Sequence, residues 1–147
     1  MAAGWRRILV PIQFSRRLPG AELELARAIA RTHHAKILLL HVVPLSPAVA
    51  ADASLAAQYY MEMEKNAELK LRKIARSKLK NFDVEIVVEI SSPAAMIVRQ
   101  AAKLRADLVI IATHGRTGIK RFLLGSVAEH LVARCPCPLL TVRPGKH

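Results

Sequence analysis

Short apolar runs alternate with amphipathic stretches along the chain, an order that predicts an α/β unit rather than a helix bundle or a sandwich. The apolar run from Ile8 to Ile12 reads as a first strand. The loop after it, from Phe14 to Gly20, holds Arg16, Arg17 and the turn pair Pro19-Gly20. From Glu22 to Thr32, Leu25, Ala28 and Ile29 share one helical face, and acids open the segment where a helix dipole favours them. Ile, Leu and Val dominate from Lys36 to Val43, the composition of a strand buried on both faces of a parallel sheet. A loop rich in Pro, Ser and Ala follows, from Pro44 to Ser54. Then Tyr60, Met63, Ala67, Leu71 and Ile74 recur at three- and four-residue spacing, which predicts a long amphipathic helix from Leu55 to Lys80.

The second half repeats the alternation. Val84, Ile86 and Val88 alternate within a third strand from Asp83 to Ile90. Ser92-Pro93 opens a helix to Leu104, with Ser92 as N-cap and Pro93 at the first helical position. A fourth strand runs from Ala106 to Thr113, a helix from Ser126 to Arg134, and a last short strand from Leu139 to Arg143. Five strands and four helices in β-α order, with no internal repeat, fit a single domain over residues 1–147. Right-handed crossovers require helices on both faces of such a sheet. Ligands bind beyond the carboxyl ends of its strands, near a topological switch point. Residues 13–15, 43–46, 91–92 and 113–118 therefore surround one expected crevice.

Composition narrows the class. Hydrophobic residues make up 52% of the 147, which excludes disorder over most of the length. The longest apolar run, Ile37 to Leu45, is interrupted by His41 and Pro44 and falls far short of the about 20 residues that span a bilayer. Arg6 and Arg7 precede an apolar run too short and too quickly broken for a signal peptide. Cys135 and Cys137 would form a strained disulfide and make only half a zinc site, so they read as reduced thiols in the cytoplasm. Lys and Arg number 23 against 11 acids, a net charge of +12 that bears on partners rather than on fold. Between Lys70 and Lys80 stand Lys70, Arg72, Lys73, Arg76, Lys78 and Lys80. They form either a solvated helix face, with acids Glu62, Glu64 and Glu68 earlier as the dipole favours, or a surface for an acidic partner. Phe82 is the single aromatic nearby, which gives base stacking little support.

The stretch from Ala112 to Ser126 carries the most chemistry. Its glycines follow a strand and precede a helix, where backbone N–H groups can approach an anion. Arg116, Lys120 and Arg121 add positive charge, and Ser126 can cap the helix or donate its hydroxyl to a phosphate. The same residues also fit a Gly-rich turn with an ordinary Ser cap. Neither a P-loop nor a G-x-G-x-x-G fingerprint is present. His114 can touch a phosphate or simply brace the loop. His33 and His34 fall in a helix-to-strand turn and read as solvated. His41 and His130 have no carboxylate or cysteine at ligand spacing, which argues against a metal site. Tyr59, Tyr60 and Met63 read as packing at a helix face or dimer surface.

Taken together, Ile8-Leu-Val-Pro-Ile-Gln-Phe-Ser15, Leu40-His-Val-Val43, Asp107-Leu-Val-Ile-Ile-Ala112, His114-Gly-Arg-Thr-Gly118, Leu123-Leu-Gly-Ser-Val-Ala-Glu129 and Cys137-Pro-Leu-Leu140 resemble the universal stress protein family along nearly the whole chain. The resemblance implies an adenine-nucleotide α-hydrolase-like fold with a five-stranded parallel sheet in order 3-2-1-4-5, and a homodimer through the last strand, Leu139 to Arg143. One branch of the family binds ATP through Gly-x2-Gly-x9-Gly-[Ser/Thr]. Gly115 matches its second glycine and Gly125-Ser126, followed by Val127, its end; Ala112 stands at the first. Gln13 replaces the family's usual acid after the first strand, and Ser91 the usual Gly of a Gly-x-Pro turn. Gln keeps hydrogen-bonding capacity but not a charged acceptor for a ribose hydroxyl.

Two functional expectations follow. In the first, ATP, with or without Mg²⁺, or a related adenine nucleotide is held by the phosphate loop of a stress-response regulator, with Ile12 and Val42 flanking the adenine. In the second, the chain is an interaction protein without a nucleotide, meeting acidic partners or another anion through its basic helix. Any ATP hydrolysis would be slow, because no acid near the loop is an evident base for activating water. Asp107 begins its strand and so lies at the far end from the crevice, and Glu129 is the nearest acid in sequence.

Overall fold

The computed structural model describes residues 4–14, 19–49, 51–113 and 125–143. Its strands are β1 (Arg7–Pro11), β2 (Lys36–Val43), β3 (Val84–Ile90), β4 (Leu108–Ala112) and β5 (Leu139–Val142). All neighbours pair in parallel, in the order β3-β2-β1-β4-β5. The helices are α1 (Ala21–His33), α2 (Ala53–Lys78), α3 (Pro93–Lys103) and α4 (Ser126–Arg134).

Side-chain alternation along the strands builds a core on each face of the sheet. Ile8, Val10, Ile37, Leu39, Leu108 and Ile110 pack beneath α1 and α2. On the reverse face, Leu9, Leu38, Leu40, Val42, Val109 and Ile111 pack beneath α3 and α4. The unbroken apolar run of β2 is thus explained: each successive residue faces a different helical layer.

Helix boundaries and faces differ from the sequence reading in instructive places. In α1 the buried residues are Glu22, Leu23, Ala26 and Ala30, with Leu25 and Ile29 at the margin and Ala28 exposed. Small Ala26 and Ala30 let the helix sit close to the sheet, so the buried stripe falls on them rather than on the bulkier set. α2 starts earlier than the apolar spacing suggests because Asp52 caps it, its carboxylate accepting from the N–H of Ser54 and Leu55 at 2.9 and 3.2 Å. Ser92 does occupy the N-cap position of α3, with Pro93 next, but its side chain makes no capping hydrogen bond. His33 is not solvated; its ring meets Trp5 at 5.5 Å, while exposed His34 ends α1 in a left-handed conformation with φ 54°.

The amino end of the sheet is fastened by Asp107. Its carboxylate accepts from the backbone N–H of Arg6 and Arg7, both at 2.9 Å, which ties the start of β1 to the start of β4. Among the described residues, no helix is long and apolar enough to cross a membrane.

Candidate functional site

The chain runs from β1 outward to β2 and β3, then returns to place β4 on the other side of β1. The switch point therefore lies between the carboxyl ends of β1 and β4, the position at which sheets of this kind hold ligands because neighbouring connections leave in opposite directions. At this edge Ile12 N–H donates to Leu40 carbonyl at 2.7 Å, Ser91 N–H to Val43 carbonyl at 3.0 Å, and Thr113 N–H to Val142 carbonyl at 2.8 Å. Each bond continues a ladder one step past its strand and holds the edge in register.

The sequence-derived site residues meet this edge in different ways. Gln13 and Ala112 are exposed at the ends of β1 and β4. Ile12 and Val42 are 3% and 7% exposed, and their side chains belong to opposite core layers. They offer the crevice backbone rather than two apolar walls. Gly115 and Arg116, with His114, Gly118, Lys120 and Arg121, lie outside the described residues. Gly125, Ser126 and Val127 form the start of α4, which enters from the same carboxyl side because it connects β4 to parallel β5.

That helix has the expected bounds, Ser126 to Arg134, and of the two roles open to Ser126 it leaves the capping one to its neighbour. Gly125 takes the N-cap position with φ −60° and ψ 163°, Ser126 is the first helical residue, and no side chain caps the end. Ser126 therefore keeps its hydroxyl out of capping. The first N–H groups of a helix have no intrahelical partner and carry the positive end of its dipole, so this turn suits an anion.

Sequence reasoning missed the role of His41. Its Nδ1 lies 2.8 Å from the Ile12 carbonyl, its ring stacks on Phe14 at 4.5 Å, and the Lys70 ammonium sits 4.9 Å from the Phe14 centroid. Donation from Nδ1 leaves Nε2 as the acceptor nitrogen. Burial lowers the His41 pKa, and Lys70 lowers it further against the contrary pull of the Ile12 bond. The signal was available: a lone polar residue in the apolar run of β2, one position before Val42. Tyr60 had a similar unread duty, its hydroxyl accepting from Ser46 N–H at 2.8 Å and so tethering the β2–α2 loop.

Glu22, in the first turn of α1, is 6% exposed. Burial raises its pKa above 4.5, and backbone hydrogen bonds at Glu22 and Gly20 offset part of that rise. The folded state then binds more protons than the unfolded one above pH 4.5, so this carboxyl subtracts stability as pH rises through that window. Glu22→Gln is expected to raise the melting temperature by a few degrees at pH 7, with the gain fading as the pH falls towards 4. Melting curves against pH check it; an equal shift at both pH values overturns the electrostatic account.

Other chemistry is sparse at this edge. Glu129 is exposed on α4. No group of three His, Cys, Asp or Glu among the described residues could hold a metal ion. At the opposite, amino edge, Cys135 and Cys137 have their sulfurs 3.9 Å apart, and burial first, then Cys135, pushes the Cys137 thiol up to about 12, where it stays protonated at neutral pH.

Comparison with known proteins agrees with this architecture. The family model described as the universal stress protein family matches residues 4–143. Universal stress protein MJ0531 of Methanocaldococcus jannaschii is 32% identical over 147 residues, covering 97% of this chain and 84% of that protein. A solved structure of the hypothetical protein MJ0577 superposes with a TM-score of 0.81 at 22% identity, covering 99% of this chain and all of that one, 100%. The universal stress protein from Archaeoglobus fulgidus in complex with dAMP superposes with a TM-score of 0.61 at 18% identity, covering 95% and 99%. The fold is that of the adenine-nucleotide α-hydrolase-like group, with the strand order that the family resemblance implied.

Proposed function

The chain belongs to the universal stress protein family, and from that membership we propose that it binds ATP or a related adenine nucleotide, with or without Mg²⁺, at the carboxyl edge of the sheet. The observation that carries this reading is the start of α4, where Gly125 presents a cap position without a side chain and Ser126 opens the helix rather than capping it. Phosphate is the anion that backbone N–H groups, a helix dipole and a hydroxyl recognise together. Gly115 and Arg116 would extend the same cradle, with Ala112 at its entry. Ile12, Gln13 and Val42 would meet the nucleoside, Gln13 through its amide and the others through backbone. The dAMP complex of the Archaeoglobus fulgidus protein supports an adenine nucleotide as the ligand class.

In this reading the protein is a cytoplasmic nucleotide-responsive regulator, and β5 joins a second copy. The support for that dimer is the position of β5 at the sheet edge with Leu139, Leu140 and Val142 only partly buried. An edge of unpaired backbone groups with apolar side chains is suited to pairing with another strand.

Isothermal titration of ATP into the purified protein at physiological salt, with Mg²⁺, tests the proposal. Binding in the micromolar range is expected. No heat up to millimolar ATP overturns it and turns attention to the basic helix as an interaction surface.

A further inference from the structure

Away from the carboxyl edge, a cleft of about 580 Å³ lies between the C-terminal half of α1 and the turn from α2 to β3, lined by Arg27, Arg31, His34, Lys80, Phe82 and Asp83 among others. Arg27 also lines a smaller cavity of about 90 Å³ further along the same α1–α2 seam, together with Lys78 and Glu24. Arg27 borders both cavities. On α1, Arg27, Arg31 and His34 fall at i, i+4 and i+7, so they line one face at intervals of about 6 and 4.5 Å along the axis. Lys78 and Lys80 supply the positive charge from the end of α2.

Three observations separate this groove from an ordinary solvated basic face. The Nε of Arg27 is buried and has no hydrogen-bond partner among the described residues. A guanidinium N–H withdrawn from water without an acceptor is costly, and the residue that bears it borders both cavities. The Arg31 guanidinium lies 5.9 Å from the Phe82 ring centroid, a cation–π contact that holds it at the rim. None of Arg27, Arg31, Lys78 and Lys80 is in an ion pair with a described residue, although Asp83 and Glu24 also border the groove.

We infer that this groove binds a linear phosphate chain, at a site separate from the nucleotide crevice. Cations from α1, from the end of α2 and from the turn after it border these cavities and match a ligand that is charged at every unit and rich in oxygens on all sides. Guanidinium groups recognise such oxygens in pairs. Nucleic acid fits less well, because among the residues lining the cleft single-stranded bases would find only Phe82 to stack on, next to which Arg31 already sits. The chain can be inorganic polyphosphate or the tail of a nucleoside polyphosphate.

Inorganic tripolyphosphate is the probe, titrated by calorimetry at physiological salt. The proteins are wild type, the double variant Arg27→Gln with Arg31→Gln, the single variant Lys80→Gln, and Gly125→Asp. Wild type is expected to bind, and Gly125→Asp removes only the part of that binding owed to the start of α4; at the site that remains, the double variant loses at least about tenfold in affinity and Lys80→Gln several-fold. Lys80 is exposed, so its substitution leaves the core intact, and circular-dichroism melting verifies that every variant is folded. ATP added to Gly125→Asp separates the sources. Residual binding removed by the arginine substitutions assigns the nucleotide tail, and its absence assigns the free inorganic chain.

The inference is overturned by any of three results. Tripolyphosphate does not bind; or its binding is lost in Gly125→Asp and kept in the arginine variant; or a single-stranded oligonucleotide binds through the same residues more tightly than tripolyphosphate. Failure of the nucleotide reading alone would appear as tripolyphosphate binding without ATP binding to the wild type.

Discussion

An aspartate at position 125 is expected to stabilise the protein while abolishing its nucleotide binding. Gly125 stands at the N-cap of α4 with φ −60° and ψ 163°, extended backbone that any residue adopts, so the added side chain meets no conformational strain. Aspartate is among the best N-caps: its carboxylate accepts from the orphan N–H groups of the first turn and complements the dipole. A gain of a few tenths of a kcal/mol follows, because glycine is itself a tolerated N-cap, or a melting temperature higher by about 1 °C. The same carboxylate occupies the donors that a phosphate would use and places a like charge beside it. Each charge-assisted hydrogen bond is worth about 1.5–3 kcal/mol, so losing two weakens ATP by at least about a hundredfold. Calorimetric titration and thermal melting of one variant report both quantities. Opposite signs are the signature: a position that served only the fold would not lose the ligand while gaining stability. Undiminished ATP binding in a folded Gly125→Asp protein would remove the α4 start from the site.

The parts of this molecule legible in the sequence are those set by local pattern. The strands follow from runs such as that of β2, whose residues alternate between two buried layers, and the order of elements follows from βα alternation with right-handed crossovers. The expected face of α1 failed because periodicity counts apolar residues without weighing their size. Close approach to the sheet selected Ala26 and Ala30 and left Ala28 outside. The bounds of α4, Ser126 to Arg134, were legible, but whether Ser126 caps that helix depends on backbone dihedrals, and the cap fell on Gly125. His41 joined Ile12, Phe14 and Lys70 through contacts between distant positions in the chain, which no spacing rule encodes. The basic groove illustrates the same limit from the other side. The run from Lys70 to Lys80 was visible, but its union with Arg27 and Arg31 depends on how α1 lies beside α2. Of the phosphate loop, its sequence alone speaks for Gly115 and Arg116.

Truncating either of two adjacent leucines in β2 is expected to cost about the same, and a large amount. Leu38 and Leu39 are both fully buried, but Leu38 packs beneath α3 and α4 and Leu39 beneath α1 and α2. In a sheet covered on one face only, one of two successive side chains would point to solvent, and its removal would be nearly neutral. Here Leu38→Ala and Leu39→Ala each remove a packed side chain and leave a cavity, at about 2–5 kcal/mol apiece. Against a total stability of about 5–15 kcal/mol, either loss is a large fraction. Melting temperatures then fall by about 5–15 °C. Leu69→Ala, on α2 where the side chain is 57% exposed, serves as the contrast and is expected within about 0.5 kcal/mol of wild type. Chemical denaturation of the three variants measures the differences. If Leu38 or Leu39 alone proved tolerant, one helical layer would be less tightly packed than its geometry indicates. Equal large losses instead fix both layers as supports of β2, and through the bond from Ile12 N–H to the Leu40 carbonyl, as supports of the edge where the nucleotide is proposed to sit.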